Sequence, residues 1–222
     1  MIKDQYKAVL FDLDGTLVDS MKDIAAAVNR VLHDFGLPGQ DIEYYRTRVG
    51  WGLKRTLEMT LPEELHKDRD RGLEKGVELL LKHYRENPSE STEVYEGNFE
   101  LLKALQAAGC ALFVYTNKDQ KTAEKIIDHV FPAGTFQGIF GARDGQSLKP
   151  DAAAVRQVIQ ETGFKASQIL YVGDSEIDME TAAAGKMDVL ACLWGYRSRD
   201  QLEKYEKLAY MESPDEIRSW IS

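Results

Sequence analysis

The chain opens on a dense apolar stretch in which Ala8, Val9, Leu10, Phe11 and Leu13 surround a single polar residue, Asp12, before the run breaks at Asp14-Gly15-Thr16. So short a run, ended by a turn signal, predicts a buried strand. The pattern then changes to helical spacing. Ile24, Val28, Val31, Leu32 and Phe35 mark one face of a helix, which Gly36-Leu37-Pro38-Gly39 ends. Further helices are predicted over 42–48, 53–59 and 62–85, with no strand candidate among them. From Val94 onward helices and strands alternate: helix 99–108, strand 111–115, helix 121–130, strand 138–140, helix 151–161, strand 169–172, helix 178–184 and strand 189–193. The tail, 200–222, reads as two short helices with Trp220 packed on the core.

This alternation predicts an α/β protein built on a doubly wound, Rossmann-like parallel sheet. Right-handed crossovers then bring the C-terminal ends of all its strands to one edge. About seventy residues of helix separate the first strand from the next, far more than a direct crossover uses, so this stretch reads as an insert. The segment 87–91, Asn-Pro-Ser-Glu-Ser, is the expected return hinge.

The candidate chemistry collects at the strand ends. Asp12 and Asp14 stand two apart on an extended backbone, so both can face one site while Leu13 faces the core. Two carboxylates so close repel unless a proton or a divalent cation lies between them, and a few hard oxygen ligands suit Mg²⁺. Taken alone, Asp-Gly after a strand is equally an ordinary turn. Thr116-Asn117-Lys118 follows the strand at 111–115, where a hydroxyl and free amides can hold a phosphoryl oxygen or cap the next helix. Lys149-Pro150 stands directly ahead of the helix at 151, with the proline fixing the first turn and the lysine free to project toward the site or into solvent. Asp174 and Asp178, at i and i+4, converge if Asp178 lies in the first turn of the next helix, where it would also serve as a cap.

An aspartate at a strand end, a second two residues later with Gly-Thr, and then the hydroxyl, lysine and paired-acid elements in that order resemble the haloacid dehalogenase superfamily over nearly the whole chain. The resemblance implies a catalytic core over 1–19 and 93–222, a helical cap over 20–92, and hydrolysis of a phosphate ester. It makes Asp12 the nucleophile that forms an aspartyl phosphate and Asp14 the general acid and base. Thr116 becomes the phosphate-binding hydroxyl with Asn117 beside it, and Lys149 the charge that neutralises Asp12 and the phosphoryl group. Mg²⁺ is then expected on Asp12, Asp174 and the main-chain carbonyl of Asp14, with Asp178 behind it or linked through water. Ser175 and Glu176 are supporting residues. Within the superfamily an acid at Asp14 favours phosphate esters over halides, which need no proton. Thr116-Asn117-Lys118, Gly173-Asp174-Ser175 and Trp194-Gly195-Tyr196-Arg197 resemble the phosphoglycolate phosphatase branch, so 2-phosphoglycolate is the expected substrate.

Between Arg46 and Arg55 four cations surround two glycines, at about the place where the family puts a substrate-selecting cap loop. Arg48 and Lys54 are the candidates there for meeting the carboxylate of a small phosphorylated acid; otherwise the loop is a turn with solvated charges. A sugar phosphomutase, a pyrophosphatase and a nucleotidase of the same superfamily share these elements. A catalytically silent phospho-ligand-binding protein would need neither nucleophile nor acid, and Asp12, Asp14, Lys149 and Asp174 are all present.

Composition narrows the partners. At 222 residues, 43% hydrophobic and 29% charged, the chain is an ordinary globular sequence, large enough for a core plus an insert. A net charge of −9 argues against a nucleic-acid or anionic-membrane partner and leaves a small phosphorylated metabolite, taken up by a monomer or homodimer. No apolar run approaches the roughly 20 residues that span a bilayer, and Met-Ile-Lys-Asp-Gln-Tyr at the start has no signal-peptide core, so a cytoplasmic location is expected. Cys110 and Cys192 sit among apolar residues and read as buried free thiols; His33, His66, His83 and His129 lack ligand spacing.

Overall fold

The computed structural model describes residues 5–86 and 88–221, residues 219–221 by backbone alone. In chain order it begins with strand β1 (Ala8–Phe11) and a short strand β2 (Val18–Asp19). Helices α1 (Met21–Asp34), α2 (Ile42–Arg46), α3 (Leu53–Glu58) and α4 (Leu73–Glu86) follow, then strand β3 (Glu93–Val94). The alternating part runs through α5 (Asn98–Ala107), β4 (Ala111–Asp119), α6 (Gln120–Val130), β5 (Gly138–Ala142), α7 (Ala152–Thr162), β6 (Ile169–Gly173) and α8 (Glu176–Gly185). It ends with β7 (Asp188–Cys192), α9 (Arg199–Leu202), β8 (Ala209–Met211) and α10 (Pro214–Ile221).

Six strands form one parallel sheet in the order β5-β4-β1-β6-β7-β8. Strand β1 is buried along its whole length because it has neighbours on both edges and helices on both faces. Its residues alternate between two cores. Val9 and Phe11 join Leu112, Val114, Leu170 and Val172 under α5, α6 and α10, while Ala8 and Leu10 join Phe113, Tyr115 and Tyr171 under α7 and α8. Strand order reverses at β1, and in open α/β sheets the crevice at such a switch point, beyond the strand C-termini, is where ligands bind. Phe11 lies opposite Val114 and Val172, so the residues that follow β1 and β6 come out beside the last part of β4.

Helices α1–α4 pack around a core of their own, with Ile24, Val28, Val31, Leu32, Leu57, Leu80 and Tyr84, and Tyr196 from beyond β7 reaches into it. The chain leaves the sheet along β2 and returns along β3, which pair antiparallel, Val18 opposite Val94. Beside this ribbon the buried Asp23 accepts hydrogen bonds from the Ser91 amide and the Thr92 hydroxyl, tying the start of α1 to the returning chain.

Several elements differ from the sequence expectation. The helix predicted over 62–85 breaks into a 3-10 turn, Glu63–Leu65, and α4. Asp68 takes the amides of Asp70 and Arg71, and a Cβ on Gly72 would lie 2.0 Å from the Asp68 carbonyl oxygen, so the chain turns instead of continuing as helix. Strands β2 and β3, which bracket the helical stretch, are not expected from sequence; at two residues each they are too short to show alternation. The tail carries β8 between its helices, a three-residue edge strand held by β7. Pro150 precedes the cap of α7 rather than occupying its first turn; Asp151 is that cap, accepting from the Ala153 and Ala154 amides. Cys110 is half-buried, since it precedes β4, whereas Cys192 is buried. The side chain of Trp220 and the hinge residue Asn87 lie outside the described residues. Among those described, no helix is long and apolar enough to cross a membrane.

Candidate active site

At the tip of β1 the Asp12 amide extends the sheet by donating to the Val172 carbonyl, and the chain then turns sharply at Gly15, φ +89°. A Cβ there would lie 2.4 Å from an Asp174 carboxylate oxygen. Only glycine lets the loop after β1 settle against the end of β6. Lys149, at the end of the loop before α7, reaches into the gap. Its Nζ donates to Asp12 Oδ1 at 2.8 Å, to Asp178 Oδ1 at 2.8 Å and to the Tyr171 hydroxyl at 3.1 Å. All three N–H donors of the ammonium are therefore filled.

Asp178 does lie in the first turn of α8, and it serves both readings of its position. Its Oδ2 accepts the Ser175 amide at 3.0 Å and the Ser175 hydroxyl at 2.7 Å, while Oδ1 takes Lys149 and Tyr171. Asp174 accepts the Thr16 hydroxyl at 3.0 Å and the Tyr196 amide at 2.8 Å. Asp12, Asp174 and Asp178 each offer an oxygen within 4.8 Å of the others, a hard-oxygen set able to hold a divalent cation.

This cluster carries surplus negative charge. Burial raises the Asp12 carboxyl well above the ordinary range, and Asp178 adds to the shift against the opposing pull of Lys149. Asp174 is pushed up to about 7 by burial and by Asp178, although the Tyr196 amide and Arg197 draw it back. Burial disfavours the Lys149 ammonium, but Asp12 and Asp178 outweigh it and hold the lysine well above its usual value. Three acids are thus clustered beside one ammonium that pairs with only two of them, and a cation among them would relieve the repulsion.

Asp14 stands apart from the cluster. Its Oδ1 accepts the Ser20 hydroxyl and the Lys118 ammonium, the latter at 2.9 Å. Lys118 is buried, with its Nζ also donating to the hydroxyl of Tyr84 from α4 and lying 4.5 Å from that ring's centroid. Burial works against its charge, but Asp14 and Tyr84 more than offset this and raise its pKa. Sequence alone assigns Lys118 no role, because its place beside Asp14 depends on pairing between β1 and β4.

Thr116 and Asn117 are still within β4. The Thr116 hydroxyl accepts the Lys118 amide at 3.2 Å and lines the pocket beside Asp12. Asn117 also lines it, but its amide group is committed elsewhere. Oδ1 accepts the Lys149 amide at 2.8 Å, and Nδ2 donates to the carbonyls of Lys149 and Gly50, each at 3.1 Å. It positions Lys149 and the loop between α2 and α3, which differs from the substrate contact expected.

The pocket is a small cavity of about 20 Å³ between the two layers, with Asp12, Asp14, Thr116 and Lys118 on one side and Ile24, Val49 and Leu53 on the other. Arg48 and Lys54 do not line it. Arg48 stacks 3.8 Å from the Tyr44 ring centroid and donates to the Tyr44 carbonyl, and Lys54 is exposed, bordering an outer cleft of about 410 Å³. Their local turn binds one and solvent takes the other. Arg197, buried and paired with Glu176 at 2.7 Å, instead reaches across to the Arg46 and Val49 carbonyls and fixes this loop.

The model of the haloacid dehalogenase-like hydrolase family matches residues 9–192. The chain belongs to that family. It is 37% identical over 192 residues to a phosphoglycolate phosphatase of Pseudomonas syringae pv. tomato, covering 86% of this chain and 70% of the relative. With a phosphoglycolate phosphatase of Aquifex aeolicus it shares 35% identity over 194 residues, 86% of each chain. A crystal structure described as a predicted phosphoglycolate phosphatase from Haemophilus somnus superposes with a TM-score of 0.88 at 27% identity, covering 98% of this chain and 99% of that one. As a haloacid dehalogenase-like hydrolase, the chain combines the family's α/β sheet with the buried acidic cluster at its switch point.

Proposed function

We propose that this chain, a phosphatase of the haloacid dehalogenase family, hydrolyses a small phosphate monoester, 2-phosphoglycolate above others, through an aspartyl phosphate on Asp12. One observation carries the assignment of the nucleophile: of the three clustered acids, Asp12 is the one that also lines the pocket, with Asp14 and Thr116. Its carboxylate attacks phosphorus and displaces the alkoxide, to which Asp14 gives a proton. Asp14 then takes a proton from water, which attacks the aspartyl phosphate at phosphorus, releases inorganic phosphate and regenerates Asp12. Lys149 offsets charge on Asp12 and on the transferring group, and the Thr116 hydroxyl donates to a phosphoryl oxygen.

The donor set fits Mg²⁺: Asp12 and Asp174, with the main-chain carbonyl of Asp14, would hold it, and Asp178, whose oxygens already take four donors, supports from behind. Bound there, Mg²⁺ would supply Lewis-acid charge that lets an anionic ester approach an anionic nucleophile.

The names of the relatives support a two-carbon leaving group. Phosphate release should be measured on 2-phosphoglycolate, hexose phosphates, nucleotides and pyrophosphate, with and without Mg²⁺. The expected result is Mg²⁺-dependent release with the highest kcat/KM on 2-phosphoglycolate. A maximum on another ester overturns the substrate, and no release from any overturns the phosphatase.

A further inference from the structure

The sequence puts the carboxylate-recognising cations on the loop between α2 and α3, but the structure places a cation inside the pocket itself. Among the described residues that line it, Lys118 is the one cation. Two features set it apart from a lysine that merely staples the fold. Its side chain is 1% exposed, and among the described residues its ammonium has two partners, Asp14 Oδ1 and the Tyr84 hydroxyl. An ammonium has three N–H donors, and a buried donor left unmade carries a desolvation cost. Lys149 fills all three of its donors with Asp12, Asp178 and Tyr171; Lys118 keeps one, among the described residues, for something else.

The position of that spare donor follows from the proposed chemistry. The ester oxygen must come to Asp14 to receive its proton, and Lys118 Nζ lies 2.9 Å from Asp14 Oδ1. A group on the carbon attached to the ester oxygen therefore arrives beside Lys118. The facing wall, with Ile24, Val49 and Leu53, offers no charge.

We propose that Lys118 is the specificity-determining residue of the pocket, its ammonium receiving a carboxylate on the carbon that bears the ester oxygen, so that phosphorylated 2-hydroxy acids of two or three carbons are selected. This rests on the phosphatase reading above. It also couples recognition to chemistry: when Asp14 gives up its proton it becomes an anion against the same ammonium that holds the substrate carboxylate. Tyr84, on α4, holds the ammonium from the opposite layer, so the helical layer takes part in selection through Tyr84 rather than through Arg48 or Lys54.

The test compares kcat/KM on 2-phosphoglycolate and on ethyl phosphate, which has the same skeleton without the carboxylate, for the parent and for Lys118→Met and Lys118→Arg. The parent should prefer 2-phosphoglycolate by on the order of 10- to 100-fold, the range of a charge-assisted hydrogen bond. Lys118→Met should bring the ratio close to one, and Lys118→Arg should keep part of it. Because Lys118 also touches Asp14, both rates fall in the variants; the ratio is what a purely structural role would leave unchanged. A second comparison needs no variant: 3-phosphonopropionate should inhibit the parent at least about tenfold more tightly than propylphosphonate. A parent that cleaves both esters equally, or a ratio unmoved by Lys118→Met, overturns this assignment alone. A parent that cleaves neither ester overturns the 2-phosphoglycolate reading and this assignment with it.

Discussion

Asp12→Asn keeps its fold and loses turnover by on the order of 10⁴-fold or more, as removal of a covalent nucleophile does elsewhere. The amide matches the carboxylate in shape but cannot attack phosphorus. Stability should hold or rise, because Lys149 keeps Asp178 as a partner while one of three crowded acids is removed. The repulsion from Asp178 that adds to burial in raising the Asp12 carboxyl disappears with it. Phosphate release and a thermal melt on one preparation check both halves. Turnover near that of the parent contradicts the role of Asp12.

Lys149→Met has the larger effect on the fold. The methionine fills the space but leaves Asp12 and Asp178 buried without their shared cation, a loss of about 3–5 kcal/mol when one partner of a buried ion pair is removed. For a chain of this length that corresponds to a fall in Tm of roughly 6–20 °C. The sign of the pH dependence follows from the acids left behind. A carboxyl whose folded pKa lies above its unfolded value favours folding most below the unfolded value, and that contribution is lost as pH rises through the folded one. Asp12 already stands well above the ordinary carboxylate range with Lys149 in place, so the deficit should grow as pH rises from that range toward neutrality. Activity should be lost throughout. Urea denaturation across that range is the check, and an unchanged midpoint at neutral pH contradicts the charge-balancing role.

The parts of this molecule that were legible in its sequence are those fixed by local pattern. The dense apolar run of β1 and the alternation after Val94 announce a parallel sheet, and they place Asp12, Lys149 and Asp174 beyond strand ends or in the loops that follow, with Thr116 in the last part of β4. Strands of two or three residues, such as β2, β3 and β8, carry no periodicity and owe their form to partners. The site residues that escaped notice depend on contacts distant in sequence. Lys118 acquires its place from Asp14 and Tyr84, and Arg197 from Glu176 and two carbonyls of the α2–α3 loop. Arg48 and Lys54 mislead for the converse reason: a cluster of cations in sequence does not say which way each side chain turns, and Arg48 spends its guanidinium on Tyr44.

The most direct test of the account is to catch the covalent intermediate. Asp14→Asn, which lacks the base that activates water, should be mixed with Mg²⁺ and p-nitrophenyl phosphate, whose leaving group needs little help from an acid, then quenched in acid and digested. The peptide containing Asp12 should gain the mass of one phosphoryl group, and the gain should be absent when Asp12 is also changed to Asn. A phosphoryl group on another residue, or none on any peptide while p-nitrophenol is released in a burst, would contradict nucleophilic catalysis by Asp12.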